Sequence, residues 1–100
     1  MQNNIVNVAI QVLPSSKKEH PYSIVDKAIE VIQKSGLKYK VCPFETVIEG
    51  ELNVILELVK EINTICYNSG TETMMMYIKI QSAADKDVFI EDKMHKYEKS

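Results

Sequence analysis

Apolar and polar positions alternate from Ile5 to Leu13, with Val6, Val8, Ile10 and Val12 on one side and Asn7, Ala9 and Gln11 on the other. A period of two marks a half-buried strand. Pro14 is expected to end it, and Ser15 to His20 to form a polar loop. The period then lengthens. Ile24, Val25, Ala28, Ile29 and Ile32 share one helical face, and Ser23-Ile24-Val25-Asp26 resembles a capping box with a shortened acid. Gly36 is placed to stop this helix as its left-handed residue.

Leu37 to Cys42 and Phe44 to Glu49 read as two short strands joined by very little chain. Pro43 between them cannot donate a ladder hydrogen bond and implies a bulge or bend. Gly50 opens a second helix, from about Glu51 to Asn68, with Leu52, Ile55, Val59, Ile62 and Cys66 on its inner face. Its stop, Ser69-Gly70, repeats the Ser35-Gly36 stop of the first helix. Thr73 to Ser82 alternates again, with Met74, Met76, Ile78 and Ile80 against Met75, Tyr77, Lys79 and Gln81.

Strand-helix-strand occurs twice in this order. The expected fold is α+β, a ferredoxin-like split βαβ sandwich (βαββαβ) with four antiparallel strands and both helices on one face. A single domain over 1–100 is expected, with its core at about 5–86. The tail, 87–100, carries many charges and a weak helical pattern in Phe89, Ile90, Met94 and Tyr97, so it either docks on a neighbouring subunit or frays. The uncovered sheet face would hold Ala9, Gln11, Met75 and Tyr77. That is apolar enough to ask for a partner, and a homodimer built sheet to sheet is the simplest one.

Composition narrows the function. Among 100 residues with a net charge of −2 there is no arginine, the usual bidentate grip on phosphate and guanine, which argues against nucleic acid as the main partner. Cys42 and Cys66 lie far apart in apolar contexts and neither histidine, His20 or His95, is near them, so buried free thiols are expected rather than a metal site. The start of the chain lacks the basic end and apolar run of a signal peptide, and no stretch is long enough to span a bilayer; a cytoplasmic protein with no membrane partner is expected. No nucleophile–base pair, glycine-rich phosphate loop or H-E-x-x-H occurs, which disfavours an enzyme.

Two polar side chains interrupt the apolar strand before Gly50: Thr46 and Glu49. A carboxylate buried there without a partner would cost several kcal/mol, so Glu49 is expected to meet a backbone amine, a neighbouring subunit or a ligand, or to cap the second helix. Lys79 is expected to form a cross-strand pair. His20 and His95 are expected to be solvated.

Val12-Leu13-Pro14, Ser35-Gly36-Leu37-Lys38-Tyr39, Pro43-x-x-Thr46-Val47-Ile48-Glu49-Gly50 and Ile78-Lys79-Ile80, in that order, resemble the small thiamine-binding proteins of the MTH-type group, over residues 5 to 86. The resemblance implies the ferredoxin-like fold, homodimers or homotetramers assembled through their sheets, and a pocket near the interface for thiamine or its hydroxymethyl-pyrimidine moiety. It implies neither catalysis nor a cofactor beyond that ligand. On this reading Glu49 would accept from the aminopyrimidine, and Thr46, Gln11 and Tyr77 would line the site, Tyr77 by stacking. The chain departs from the family in the turn Gln81-Ser82-Ala83-Ala84-Asp85-Lys86, where an acidic and arginine-rich run is usual. The alternatives are a structural or regulatory homo-oligomer without a small ligand, and an enzyme of the dimeric α+β barrel type.

Overall fold

The computed structural model describes residues 4–94 and 97. The elements are β1 (Ile5–Ser15), α1 (Pro21–Lys34), β2 (Lys38–Val41), β3 (Thr46–Glu51), α2 (Leu52–Asn68), β4 (Thr73–Gln81) and a short α3 (Ile90–Met94). The strands form one sheet in the order β2-β3-β1-β4, with every neighbouring pair antiparallel. This is the expected ferredoxin-like sandwich, with a short C-terminal helix added.

Directly paired residues share a face of the sheet, so register assigns the faces. Val8 pairs with Ile48 and Ile80, and Ile10 with Thr46 and Ile78, which sets these side chains toward the helices. Ala9 pairs with Val47 and Lys79, and Gln11 with Tyr77, which sets these on the other, open face. The core forms between the sheet's inner face and the two helices: Val6, Val8, Ile10 and Ile48 from the strands, Ile24, Ala28 and Ile32 from α1, Ile55, Leu58, Ile62 and Cys66 from α2. Leu58 joins the inner stripe of α2 beside the residues that the period identified. Burial pushes the Cys66 thiol pKa up, so this sulfur stays protonated and inert at neutral pH.

Two local expectations are corrected. Pro14 does not end β1, which runs on to Ser15 with Pro14 paired to Met74. The proline is tolerated because β3 begins only at Thr46, opposite Ile10, so the last part of β1 has a strand on one side alone. Ser23 does not cap α1: the cap is His20, whose Nδ1 accepts from the Tyr22 backbone N–H at 3.1 Å, with Pro21 at the first helical position. His20 is exposed, as expected, and uses one ring nitrogen as the cap. Both glycine stops hold, with Gly36 at φ 80° and Gly70 at φ 106°.

The described start of the tail, residues 87–94, is ordered on its own chain. It folds across the open face of its own sheet. Asp87 Oδ1 accepts from Ile5 N–H at 2.7 Å, Val88 N–H donates to Ile5 O at 2.9 Å, and Asn7 Nδ2 donates to Val88 O at 2.9 Å. Val88 and Ile90, within this strap, are buried. Asn7, which parity places on the open face, is consequently only 3% exposed. His95 lies outside the described residues.

Ile48, fully buried at the centre of the sheet's inner face, is the natural probe of this core. Ile48→Ala should lower the unfolding free energy by about 2–5 kcal/mol through lost burial and a residual cavity. Urea denaturation measures this, and a loss well under that range would mean that the helices do not close on the sheet as described.

Candidate functional site

The site begins with the way β2 turns into β3. Val41 pairs with Thr46, and Cys42 N–H donates to Glu45 O at 2.9 Å, which leaves Pro43 and Phe44 at the tip. Tight hairpins favour turns with positive φ because these match the twist of the strands. Proline cannot adopt positive φ, and among the described residues no non-glycine does. The turn is therefore not of the primed kind, and the Cys42–Glu45 bond keeps β2 and β3 paired up to its tip. Beside it, β1 continues from Gln11 to Ser15 without β3 as a neighbour. A gap in the sheet results, closed on the far side by α1.

That gap is a cleft of about 210 Å³ lined by Gln11 and Val12 of β1, Tyr22, Val25 and Ile29 of α1, and Cys42, Phe44, Glu45 and Thr46 of the turn. It is smaller than the ~300–1,000 Å³ that encloses a drug-sized ligand, and it suits a single substituted ring whose remainder stays outside. Phe44 is 82% exposed and Tyr22 75% exposed, so two aromatic side chains stand wet at its rim. Wet aromatics beside an apolar hollow can bind a flat ring by stacking. Thr46 lies in the cleft, on the helix side and buried.

Glu45 is the carboxylate of this cleft. One step beyond the Ile10–Thr46 pair it stands across from Gln11, on the open face, and its Oε1 receives Lys79 Nζ at 3.2 Å. The expected cross-strand pairing of Lys79 is thus made with Glu45, across β1. On the open face itself, a groove of about 250 Å³ lies over Ala9, edged by Asn7, Glu45, Lys79, Gln81 and Lys93. The short Ala9 side chain makes the hollow and the long ones around it make the walls. Lys93 Nζ donates to Gln81 Oε1 at 2.7 Å. Among the described residues Asn7 Oδ1 is buried without a hydrogen-bond partner, an arrangement that costs about 1–3 kcal/mol.

Gln11 and Thr46, expected at the site from sequence, therefore meet at the cleft. Tyr77 pairs with Gln11 on the open face, half exposed. Glu49 stands apart from them. It pairs with Asn7, and its Oε1 accepts from the Ile90 N–H at 2.7 Å, holding the start of α3. Its partner is a backbone amine, one of the expected possibilities, while the cap position of α2 belongs to Glu51, which makes no side-chain cap bond. Sequence reasoning passed over Tyr22, Phe44 and Glu45. A phenylalanine immediately after a proline between two strands was the available signal, because such a tip cannot bury its side chain in the core.

Among the described residues no His, Cys, Asp and Glu side chains gather as a metal site would need, and no helix is long and apolar enough to cross a membrane.

The architecture and its cleft define an α+β sandwich of the ferredoxin-like type. A family model described as thiamine-binding protein matches residues 8–98. The chain belongs to that family. It is 37% identical over 91 residues to a UPF0045 protein of Clostridium perfringens, covering 91% of this chain and 95% of that one. Among solved structures it is similar to a Bacillus cereus domain of unknown function, DUF77, at 41% identity and a TM-score of 0.91, over 94% of this chain and 90% of that one. It is also similar to a Thermotoga maritima protein described as a candidate for thiamine biosynthesis or salvage, at 32% identity and a TM-score of 0.85, over 93% and 98% of the two chains.

The Glu49 bond separates a structural role from a ligand role. Glu49→Gln keeps the shape but replaces a charged acceptor with a neutral one, which should cost about 1 kcal/mol of stability. Backbone hydrogen exchange at Ile90 should speed up in the same variant. Unchanged exchange at Ile90, with weakened ligand binding, would assign the carboxylate to a ligand instead.

Proposed function

We propose that this protein binds thiamine, or its hydroxymethyl-pyrimidine portion, without transforming it, and that the ring lies in the cleft between α1 and the β2–β3 turn. Family membership supports the ligand class. The observation that carries the location is the cleft itself, with two wet aromatics at its rim and one carboxylate, Glu45, at its mouth. An aminopyrimidine presents an exocyclic amine and a ring nitrogen that becomes cationic on protonation. A carboxylate accepts from both, and such charge-assisted bonds are about twice as strong as neutral ones. Phe44 and Tyr22 supply the faces on which the ring stacks, and Thr46 and Gln11 supply polar contacts. Two free cysteines, Cys42 and Cys66, support a reducing compartment, the cytoplasm.

The same reading makes the protein a homo-oligomer. Leu13, Met75 and Tyr77 are each roughly half exposed on one face of the sheet, beyond the reach of the strap. Burying a large apolar side chain contributes about 1.5–3 kcal/mol, and a second copy would do this for three residues on each side.

Calorimetry tests the ligand. Thiamine and hydroxymethyl-pyrimidine should both bind, the thiazole alcohol alone should not, and an affinity near micromolar would correspond to about −8 kcal/mol. Glu45→Gln should weaken binding about tenfold or more, as expected for losing a charged acceptor. No heat and no thermal shift at millimolar thiamine would overturn the reading in favour of an oligomer without a ligand.

Sedimentation tests the assembly. Tyr77→Lys should weaken the oligomer, because a charge would replace apolar area at the centre of the proposed interface. A wild-type monomer at tens of micromolar would contradict it.

A further inference from the structure

The groove over Ala9 and the aromatic cleft share one residue, Glu45, which lines both. The cleft holds a ring and little more, so the remainder of a ligand seated there must leave past Glu45. On the open face it would meet two ammonium groups. Lys79 is paired with Glu45 at 3.2 Å, and its side chain is 73% exposed. Lys93 is bonded to a neutral acceptor, the Gln81 amide oxygen, and among the described residues it forms no ion pair. A cationic aminopyrimidine that engages Glu45 competes with Lys79 for the carboxylate. Lys79 is then released toward the groove that Lys93 already borders.

We infer that this groove is an anion subsite continuous with the ring cleft, and that the ligand spanning the two is a phosphate ester of the ring compound rather than the free alcohol. Lys79 and Lys93 take the phosphoryl oxygens as point charges, which lysine does without the bidentate geometry of arginine. A phosphate monoester carries a charge of about −1.5 to −2 near neutral pH, which the two ammonium groups would offset. The exchange is one of ion pairs: the ligand's ring takes Glu45 and its phosphoryl group takes Lys79, so no charge is stranded. This inference rests on the proposed ring-binding cleft, and the experiment keeps the two apart.

Calorimetry with thiamine, thiamine monophosphate and inorganic phosphate, on wild type, Lys93→Gln and Lys79→Gln, reads both. The monophosphate should bind wild type at least tenfold more tightly than thiamine. That ratio should fall toward one in each lysine variant, and also in wild type when salt is raised enough to shorten screening from ~10 Å to ~3 Å. Both lysine side chains are exposed, so the glutamine variants should fold. Equal affinity for thiamine and its monophosphate, or a preference that survives both substitutions, would overturn the anion subsite while leaving the ring cleft intact. Phosphate binding that depends on Lys79 and Lys93, with no thiamine binding at all, would retain the subsite and overturn the ring reading.

Discussion

The arrangement of this molecule depends on a mismatch in strand length. β1 runs eleven residues, from Ile5 to Ser15, while β3 begins only at Thr46, opposite Ile10. The chain cannot extend β3 to cover the rest of β1, because Pro43 and Phe44 form the tip of the reversal immediately before it. Pro43 fixes φ and gives up a donor, and with the reversal placed there the sheet is left open beside Gln11 and Val12. The gap admits Pro14 to a central strand, brings α1 to the edge of a hollow, and leaves Phe44 without a core to enter. The cleft is the space that this pair of constraints prevents the sheet from filling.

The second constraint is the strap. A sheet with helices on one side exposes its other face, and here the chain covers part of that face itself. Backbone and side-chain bonds from Asp87, Val88 and Ile90 to Ile5, Asn7 and Glu49 fasten the segment at one end of the sheet. The other end, with Leu13, Met75 and Tyr77, stays bare. The strap therefore restricts where a second copy could sit and ends close to the groove, where Lys93 reaches Gln81. In this way one segment borders both the proposed assembly surface and the proposed anion subsite.

Much of the fold was legible in the sequence because it is written in periods. The alternation in β1 and β4 assigns both faces correctly, and Ser35-Gly36 and Ser69-Gly70 mark both helix ends. What was not legible depends on chain meeting distant chain. Parity places Glu49 on the open face, but nothing in its neighbourhood announces that the Ile90 amide, 41 residues on, will be its partner. Pro14 looks like a stop until one knows that β3 ends short of it. His20 displaces Ser23 as the cap because Pro21 starts the helix earlier than the apolar period does. Thr46 and Gln11 could be picked out as polar positions near apolar ones, whereas Glu45, Tyr22 and Phe44 gain their meaning only from a turn geometry.

The central claim is that the gap beside β1 is where a ring binds, and amide chemical-shift mapping with hydroxymethyl-pyrimidine tests it most directly. The account predicts the largest shifts at Gln11, Tyr22, Phe44, Glu45 and Thr46, with the outer face of α2 silent. Saturable shifts confined to other parts of the molecule, with these amides unmoved, would contradict it.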